Sequence, residues 1–274
     1  MKLDLNNFIL FIGHCRSGTS AVAAIIDSHP NAICSHEIHC LQNSMKEKWS
    51  KNKTIEYVVN SSQEQAKKGR RSGTILADGC RGDYNHKIEG QLKDANSVIY
   101  SAGDKLAGKD NSYLHKVGIN ALVKFKDKIG LPLKIIHMVR NPYDIIALER
   151  RWYGIMSLRY RSRKRKQKKI NYWVDVLKRI EGITKAVKNI DDKDISVCDI
   201  YLDTLVNDPN SELKKLFSFL DLPISENVMN KCKNHLNFTP HQRRFEIQWG
   251  DTKKRVEKEI IEEFEWFNKY EFEK

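Results

Sequence analysis

The sequence predicts an α/β protein with a P-loop-like, three-layer fold, in which helices flank a central parallel sheet. Apolar runs of strand length alternate with amphipathic stretches of helical period along the chain, and this alternation is typical of βαβ units. The 274 residues contain no repeat of fixed period and no linker rich in Pro, Gly or Ser. We therefore expect residues 1–274 to form a single domain.

The first strand is predicted over residues 7–12, because an unbroken apolar run of this length suits burial on both faces of a sheet. A tight polar loop leads from it into a helix over residues 19–28. Further strands are predicted near residues 32–34, 97–101, 133–139 and 195–200. Further helices are predicted over residues 113–129, 143–152, 171–189, 211–220 and 253–270.

The composition and charge of the chain indicate which kinds of partner and which cellular compartment to expect. The formal net charge of +13 indicates anionic partners, and charge alone leaves nucleotides, acidic glycans, nucleic acids and lipid surfaces open. The six cysteines form neither a CxxC pair nor a zinc-ligand spacing, so we expect no metal and no disulfide framework. No apolar run approaches the roughly 20 residues that span a bilayer, and the start of the chain lacks a signal-peptide pattern. We therefore expect a soluble, cytoplasmic protein.

The segment after the first strand carries the strongest motif. It reads Gly13-His14-Cys15-Arg16-Ser17-Gly18-Thr19-Ser20 and opens a helix of small residues. Backbone N–H groups of such a loop converge on an anion at the helix N-terminus. The spacing is that of a Walker phosphate loop, but Thr19 stands where the Walker lysine would be, and Arg16 supplies the positive charge. The alternative is an ordinary glycine-containing turn between a strand and a helix.

Three segments in order resemble the PAPS-dependent sulfotransferases, where PAPS is 3′-phosphoadenosine 5′-phosphosulfate. The loop resembles the 5′-phosphosulfate-binding RSGT[ST] form of Golgi-type and bacterial members. The segment from Lys134 to Asp144, KIIHMVRNPYD, resembles the 3′-phosphate motif, a strand that ends in Arg-Asn/Asp-Pro. The segment YLDTLVNDP, which begins at Tyr201 and precedes LKKLFSFLDLP, resembles the later YEDLV, DP and FLGLP pattern. The resemblance implies a P-loop-like fold, PAPS as donor, PAP as product and no metal.

The resemblance assigns Arg140 to the 3′-phosphate. Its planar fork suits bidentate contact with a phosphate, and it follows a strand, where open α/β sheets bind ligands. The family places a serine eight residues later, where this chain has Leu148. The alternative partner of Arg140 is Asp144 at the start of the next helix.

Candidate bases follow the second strand, in SHEIHC. The spacing of Glu37 from Arg16 is similar to that of the catalytic glutamate of tyrosylprotein and related sulfotransferases. A carboxylate near the acceptor hydroxyl can take its proton, and partial burial is expected to raise the pKa of that carboxylate. His36 and His39 are alternative bases, because imidazole titrates near neutrality. All three residues can also be read as a polar turn.

Other residues are expected to complete the site. Lys105 resembles the lysine that neutralises the departing phosphate oxygen in glutamate-using members, with Lys109 as a substitute and Arg16 sharing the role. Tyr201 is expected near the nucleotide. Arg243 and Arg244 lie in a predicted C-terminal closing segment, residues 237–274, and are expected to complete an anion clamp, although both can be surface charges.

The implied reaction is transfer of a sulfuryl group to an acceptor hydroxyl, which can belong to a glycan, a peptide, a lipid or a small molecule. The stretch from Arg159 to Lys169 has eight basic residues in eleven and predicts an exposed loop, which is either solvated or a docking surface for an acidic glycan or peptide acceptor. Tyr160 is its one aromatic residue, so we expect no nucleic-acid partner. The alternative functions are a P-loop kinase, against which the missing lysine argues, and a non-catalytic polyanion-binding protein.

Overall fold

The computed structural model describes residues 1–69, 71–72, 84–159 and 170–273, with the backbone alone at residues 71–72, 84–85 and 152–159. Seven strands are present in this part of the chain: β1 Lys2–Ile12, β2 Ala32–His36, β3 Arg71–Ser72, β4 Tyr84–Asn85, β5 Val98–Lys105, β6 Leu133–Val139 and β7 Ile195–Tyr201. Five of them form one parallel sheet in the order β2-β5-β1-β6-β7. β3 and β4 form a separate antiparallel pair.

Helices connect the strands of the parallel sheet and also follow its last strand. They are α1 Thr19–Ser28, α2 Cys40–Lys46, α3 Lys51–Lys67, α4 Gly108–Val117, α5 Asn120–Ile129, α6 Pro142–Arg159, α7 Ile170–Lys188, α8 Leu202–Asn207, α9 Pro209–Phe219, α10 Glu226–His235 and α11 Thr252–Val256. Short 3-10 segments lie at Arg243–Glu246 and Glu265–Phe267, and a π-helical turn lies at Glu257–Ile261.

The central strand β1 supplies core side chains to both faces of the sheet. Ile9 and Phe11 pack into one apolar cluster with α1, α9 and α10, whereas Phe8 and Leu10 pack into a second cluster with α3 and α5. This alternation follows from the two-residue period of a strand. A third cluster joins α6, α7 and the C-terminal segment. The predicted three-layer α/β fold with a central parallel sheet is confirmed.

The strands place their carboxyl ends at one edge of the sheet. β1 pairs in parallel with β5 and β6, β5 pairs with β2, and β6 pairs with β7. Ligands of open α/β folds bind at this edge, near the point where the strand order reverses. In this sheet the reversal lies at β1, because the chain places β2 and β5 on one side of it and then β6 and β7 on the other.

Two predicted helices were wrong. The helix expected over residues 113–129 is two helices, α4 and α5, because Gly118 ends α4 with a positive φ of 87°. The helix expected over residues 253–270 is interrupted after α11 by the π-helical turn, and Phe264 then has an extended backbone. By contrast, α1 and β6 have the predicted bounds. That residues 1–274 form a single domain stays a prediction.

No helix in the described part of the chain combines the length and apolar character needed to cross a membrane. The five cysteines among the described residues, at positions 15, 34, 40, 198 and 232, are free thiols. Residues 160–169, which contain nearly all of the basic run, lie outside the described residues, so the exposed loop expected there stays a prediction.

Candidate active site

The predicted site residues follow the carboxyl ends of the five parallel strands. Gly13 comes directly after β1, Glu37 after β2 and Arg140 after β6, while Lys105 and Tyr201 are the last residues of β5 and β7. Because all five strands run in the same direction, these residues share one edge of the sheet. The order of the strands, which the sequence did not reveal, makes β2 and β5 neighbours and so brings Glu37 to Lys105.

The loop between β1 and α1, residues 13–18, is packed so tightly that both of its glycines are required. Gly13 has a φ of 97°, and a Cβ there would lie 2.8 Å from Cδ2 of His137. Gly18 has a φ of 90°, and a Cβ there would lie 2.7 Å from Cδ1 of Leu202. The backbone of the loop is therefore fixed against β6 and α8.

The loop keeps features that fit an anion. Gly18 is the N-cap of α1 and has no side-chain cap, so the first N–H groups of the helix lack a partner within it. Within the described residues, the fully buried hydroxyl of Ser17 has no hydrogen-bond partner. Arg16 is exposed and has a left-handed backbone with a φ of 72°. Such a loop suits a phosphate group, whose oxygens accept these donors.

Arg140 holds the loop from the side of β6. One terminal guanidinium nitrogen donates to the carbonyl oxygen of Arg16 at 2.8 Å, and the other donates to the carbonyl oxygen of His241. The guanidinium thus joins the loop to the C-terminal segment. Asp144, the alternative partner of Arg140, pairs instead with Arg244.

Glu37 and Lys105 form an ion pair beside the loop. The ammonium of Lys105 donates to Oε1 of Glu37 at 2.9 Å, and the backbone N–H of Glu37 donates to the carbonyl oxygen of Lys105 at 2.9 Å. The Lys105 side chain is 4% exposed, whereas that of Glu37 is 47% exposed. The cation is therefore held from within the protein, and the carboxylate is presented to the surface.

The pKa of Glu37 differs from the expectation. Burial alone would raise the pKa of this carboxyl, as the sequence suggested, but the nearby Lys105 ammonium and His36 outweigh burial and lower the pKa below its ordinary value. The expectation of a raised pKa was wrong, because it did not include the lysine that the fold supplies. The carboxylate is therefore ionised, and able to accept a proton, at neutral pH.

The histidines predicted as alternative bases also lie here. Nε2 of His36 is 3.8 Å from Oε1 of Glu37. Nε2 of His39 is 3.5 Å from the ammonium of Lys109. The segments that flank the Glu37 carboxylate therefore carry two lysine ammonium groups and two imidazoles, those of Lys105, Lys109, His36 and His39.

Cys15 connects the loop to the Glu37–Lys105 pair. A Cβ on Gly108, at the start of α4, would lie 2.7 Å from Sγ of Cys15. Burial and the field of Glu149 raise the pKa of this thiol, while Arg16 and Lys105 oppose the rise. Cys15 therefore lies close enough to Arg16, Lys105 and Glu37 to feel the charge of each.

A family model described as the sulfotransferase family matches residues 9–226, which is more than half of the chain. The chain belongs to the sulfotransferase family. The match spans the loop, the Glu37–Lys105 pair, Arg140 and Tyr201. The protein is therefore an enzyme of sulfuryl transfer, and the predicted family, function and enzyme class are confirmed.

The chain also matches solved structures of other sulfotransferases. Sulfotransferase STF9 from Mycobacterium avium matches with a TM-score of 0.52 and 12% identity, over 95% of this chain and 77% of that one. Mouse sulfotransferase SULT7A1, complexed with PAP, matches with a TM-score of 0.42 and 15% identity, over 92% of this chain and 70% of that one. The mycobacterial match supports the P-loop-like fold. No curated protein sequence is similar enough to the chain to count as a match.

Three predicted residues of the sulfotransferase have contacts that bear on their roles. Arg244 is 2% exposed, pairs with Asp144 at 2.7 Å and donates to the carbonyl oxygen of Phe272, so the structure gives it a buried partner in α6. Arg243 pairs with Glu246. Tyr201 is half-buried beneath the ammonium of Lys269, 4.0 Å from the ring, and burial with nearby carboxylates raises the pKa of its hydroxyl to about 12. Their assignment to the cofactor stays a prediction.

Sequence reasoning missed three polar residues that organise the site. Oδ1 of Asn111 accepts from the N–H of Gly13 at 3.3 Å, and its amide group donates to α7. Gln65 makes two hydrogen bonds of 2.8 Å with the backbone of His36. Glu149 lies 3.7 Å from Nε of Arg16. None of these three residues lies in a recognisable sequence motif. Each reaches the site through contacts with residues that are distant in the chain, so the sequence alone did not identify them.

A cleft lies away from the predicted site residues. A cleft of about 650 Å³ is lined by Val206, Pro209, Lys233, Asn234, Leu236, Asn237, Phe238 and Thr239, none of which is a predicted site residue. Among the described residues, no group of three or more His, Cys, Asp or Glu side chains is placed to hold a metal ion. That the reaction needs no metal stays a prediction.

Proposed function

We propose that this sulfotransferase uses PAPS as donor, transfers its sulfuryl group to a hydroxyl of an acidic acceptor, and releases PAP. The observation that carries the proposal is the Glu37–Lys105 ion pair, made beside a glycine loop at the carboxyl edge of a parallel sheet. A base and a buried cation at the anion-binding edge are what an in-line transfer requires.

Residues 13–20 fit the 5′-phosphate of the donor. The buried Ser17 hydroxyl and the uncapped N-terminus of α1 offer donors to phosphate oxygens. Arg140 is assigned to the 3′-phosphate, and its contacts with the carbonyl oxygens of Arg16 and His241 orient the guanidinium beside the loop. When bound, PAPS supplies an electrophilic sulfur and a phosphate leaving group.

Glu37 acts as the general base in this proposal. Its carboxylate takes the proton of the acceptor hydroxyl as the oxygen attacks sulfur, which typically contributes about 10²- to 10⁴-fold to the rate. Lys105 keeps the carboxylate ionised and accessible. His36 is the alternative base, because its imidazole is 3.8 Å from the same carboxylate oxygen.

Lys105 and Arg16 stabilise charge on the departing phosphate oxygen. Lys105 is almost fully buried, and a fixed charge in such surroundings needs no reorganisation when negative charge develops nearby. Arg16 is held by Glu149 on α6 and remains exposed to an incoming donor. Removal of one such donor typically costs about 3 to 4 kcal/mol of transition-state stabilisation.

The charges around Glu37 favour an acceptor with an acidic group. Lys109 and His39 lie beside the base segment, Lys109 is exposed, and the whole chain has a formal net charge of +13. A carboxylate or sulfate on the acceptor would be attracted to this side of the site, whereas a neutral acceptor would gain nothing from it.

Mass spectrometry of matched acceptors tests the proposal. The enzyme is incubated with PAPS and either a glucuronic-acid oligosaccharide or its carboxyl-reduced counterpart, and likewise with an acidic and a neutral hydroxyl peptide. We expect products heavier by one sulfuryl group, formed with release of PAP and with preference for the acidic member of a pair. Preference for the neutral member would remove the acidic-acceptor part of the proposal. Absence of any sulfated product and of PAP release would contradict the donor assignment.

A further inference from the structure

Asp104 is a buried carboxylate next to the proposed catalytic lysine. It is 1% exposed and precedes Lys105 in β5. Successive side chains of a strand point to opposite faces, so Asp104 and Lys105 lie on different sides of β5. The aspartate therefore has no direct access to a substrate that meets Lys105.

The Asp104 carboxylate is hydrogen-bonded to the segment that carries Glu37. Oδ1 accepts from the backbone N–H of Ile38 at 3.3 Å and from the hydroxyl of Ser35 at 3.2 Å. Oδ2 accepts from the backbone N–H of Cys40 at 3.0 Å. These donors lie on both sides of Glu37 in the chain, so one side chain holds the segment before and after the base.

The held segment has an unfavourable backbone. Glu37 and His39 have φ values of 57° and 58°, in the left-handed region that non-glycine residues rarely adopt. Each such residue costs about 1–3 kcal/mol unless the surrounding structure imposes the conformation. Along the chain, the hydrogen-bonded residues Ile38 and Cys40 alternate with the strained pair Glu37 and His39. The hydrogen bonds to Asp104 therefore fix the turn that directs the Glu37 side chain outward.

We infer that Asp104 is a positioning residue that holds residues 37–40 in the conformation that presents Glu37 to Lys105. The inference rests on the proposed role of Glu37 as base. Asp104 and Lys105 then hold the same turn by different groups. The aspartate side chain accepts from the Ser35 hydroxyl before Glu37 and from the backbone N–H groups of Ile38 and Cys40 after it. The lysine accepts from the N–H of Glu37 through its carbonyl oxygen and binds the carboxylate through its ammonium.

The substitution Asp104→Asn tests the inference. An amide has one acceptor oxygen, so it can keep either the Ile38 or the Cys40 hydrogen bond, and its NH₂ group then faces the other N–H donor. We expect the pKa of Glu37, measured by NMR titration of its carboxyl carbon, to rise as its contact with Lys105 loosens. We also expect kcat to fall by about 10²-fold, as misplacement of a catalytic group by 1 Å can produce, with unchanged affinity for PAP.

A matched control is available in Asp27, another buried aspartate. Oδ1 of Asp27 accepts from the N–H of Cys34 at 2.7 Å and from the hydroxyl of Ser62 at 2.6 Å, without contact to residues 37–40 in those bonds. Asp27→Asn should lower stability but leave the Glu37 titration and the pH dependence of kcat as in the wild type. This comparison separates positioning from a general loss of stability.

A second variant covers the case in which Asp104→Asn does not fold. Asp104→Ser is smaller and leaves room for a water molecule to bind the N–H groups, and the same changes in Glu37 titration and kcat are expected. If the folded variants at position 104 show the same Glu37 titration and the same kcat as Asp27→Asn, the inference is wrong. The NMR titration needs no turnover, so it tests Asp104 even if Glu37→Gln remains active and the base assignment fails.

Discussion

The ammonium of Lys105 lies 2.9 Å from a carboxylate oxygen of Glu37, although 68 positions separate the two residues in the chain. The contact exists because β2 and β5 are neighbours in parallel register, with His36 opposite Lys105. A lysine side chain that is 4% exposed needs a counter-charge, since an unpaired buried ammonium is costly. The fold therefore stabilises the pair that the proposed chemistry uses.

Replacement of Glu37 by Gln is expected to slow turnover strongly while leaving PAP affinity unchanged. The amide keeps the size of the side chain but cannot take a proton, so kcat should fall by about 10²- to 10⁴-fold. Sulfated product and PAP release give kcat, and isothermal titration calorimetry gives the affinity. His36→Gln is the matched control and should retain most activity. If His36→Gln is inactive and Glu37→Gln is active, His36 is the base.

Replacement of Gly13 by Ala is expected to damage the loop more than the same change at Gly130, which ends α5 in the left-handed region. A left-handed backbone costs an alanine about 1–2 kcal/mol. At Gly13, whose φ is also positive, the new Cβ meets His137 and the carbonyl oxygen of Met138, which adds about 1–3 kcal/mol. At Gly130 the nearest atom is the flexible end of Lys51, at an ordinary contact distance of 3.8 Å. Urea unfolding measures both variants, and equal losses would mean that the loop is not tightly packed against β6.

Much of the site could be predicted from the sequence because its residues follow strand ends. The apolar runs predicted β1 and β6, and the parallel fold then places Gly13 and Arg140 at one edge. Glu37 and Lys105 were proposed separately by resemblance. Their direct contact could not be predicted, since it depends on which strands are neighbours in the sheet.

Two features escaped prediction for identifiable reasons. α3 is a helix of 17 residues with mostly polar side chains, so its apolar period is weak, although Ser50 is an N-cap that accepts from the N–H of Lys53. The buried Arg244–Asp144 pair joins residues 100 positions apart, and nothing in the local sequence distinguishes it from a surface charge. Long-range partners of polar residues require the structure.

Replacement of Arg244 by Gln is expected to destabilise the protein by about 3–5 kcal/mol, because it leaves the Asp144 carboxylate buried without its partner. Arg243→Gln is the neighbouring control, and its partly exposed ion pair should be worth at most about 1 kcal/mol. Denaturant unfolding gives both values. A stable Arg244→Gln protein that has lost PAP affinity would instead assign Arg244 to the anion clamp.

Acid should weaken the fold through Asp199. Burial opposes its ionisation, but His137 at 2.8 Å and Lys188 at 2.7 Å outweigh burial and lower the pKa of Asp199 to about 2. A lowered folded-state pKa contributes stability above the ordinary pKa, and this contribution of about 2 kcal/mol is lost as pH falls from about 5 to 2.

Asp199→Asn should therefore flatten the acid limb of the unfolding free energy, measured by urea titration at several pH values. The same network acts in the opposite sense on His137. Burial opposes protonation of its imidazole, but Asp199 and Glu181 outweigh burial and raise its pKa, so its contribution is lost as pH rises. Exposed Asp191→Asn is the control. An unchanged acid limb in Asp199→Asn would contradict the assignment.

The most direct test of the proposed donor site is isothermal titration of the wild-type enzyme with PAP, compared with adenosine 5′-phosphate and with ATP plus Mg²⁺. The loop at residues 13–20 and Arg140 predict saturable binding of PAP without a divalent cation, and weaker binding when the 3′-phosphate is removed. Saturable binding of ATP with Mg²⁺ and no binding of PAP would contradict the donor assignment.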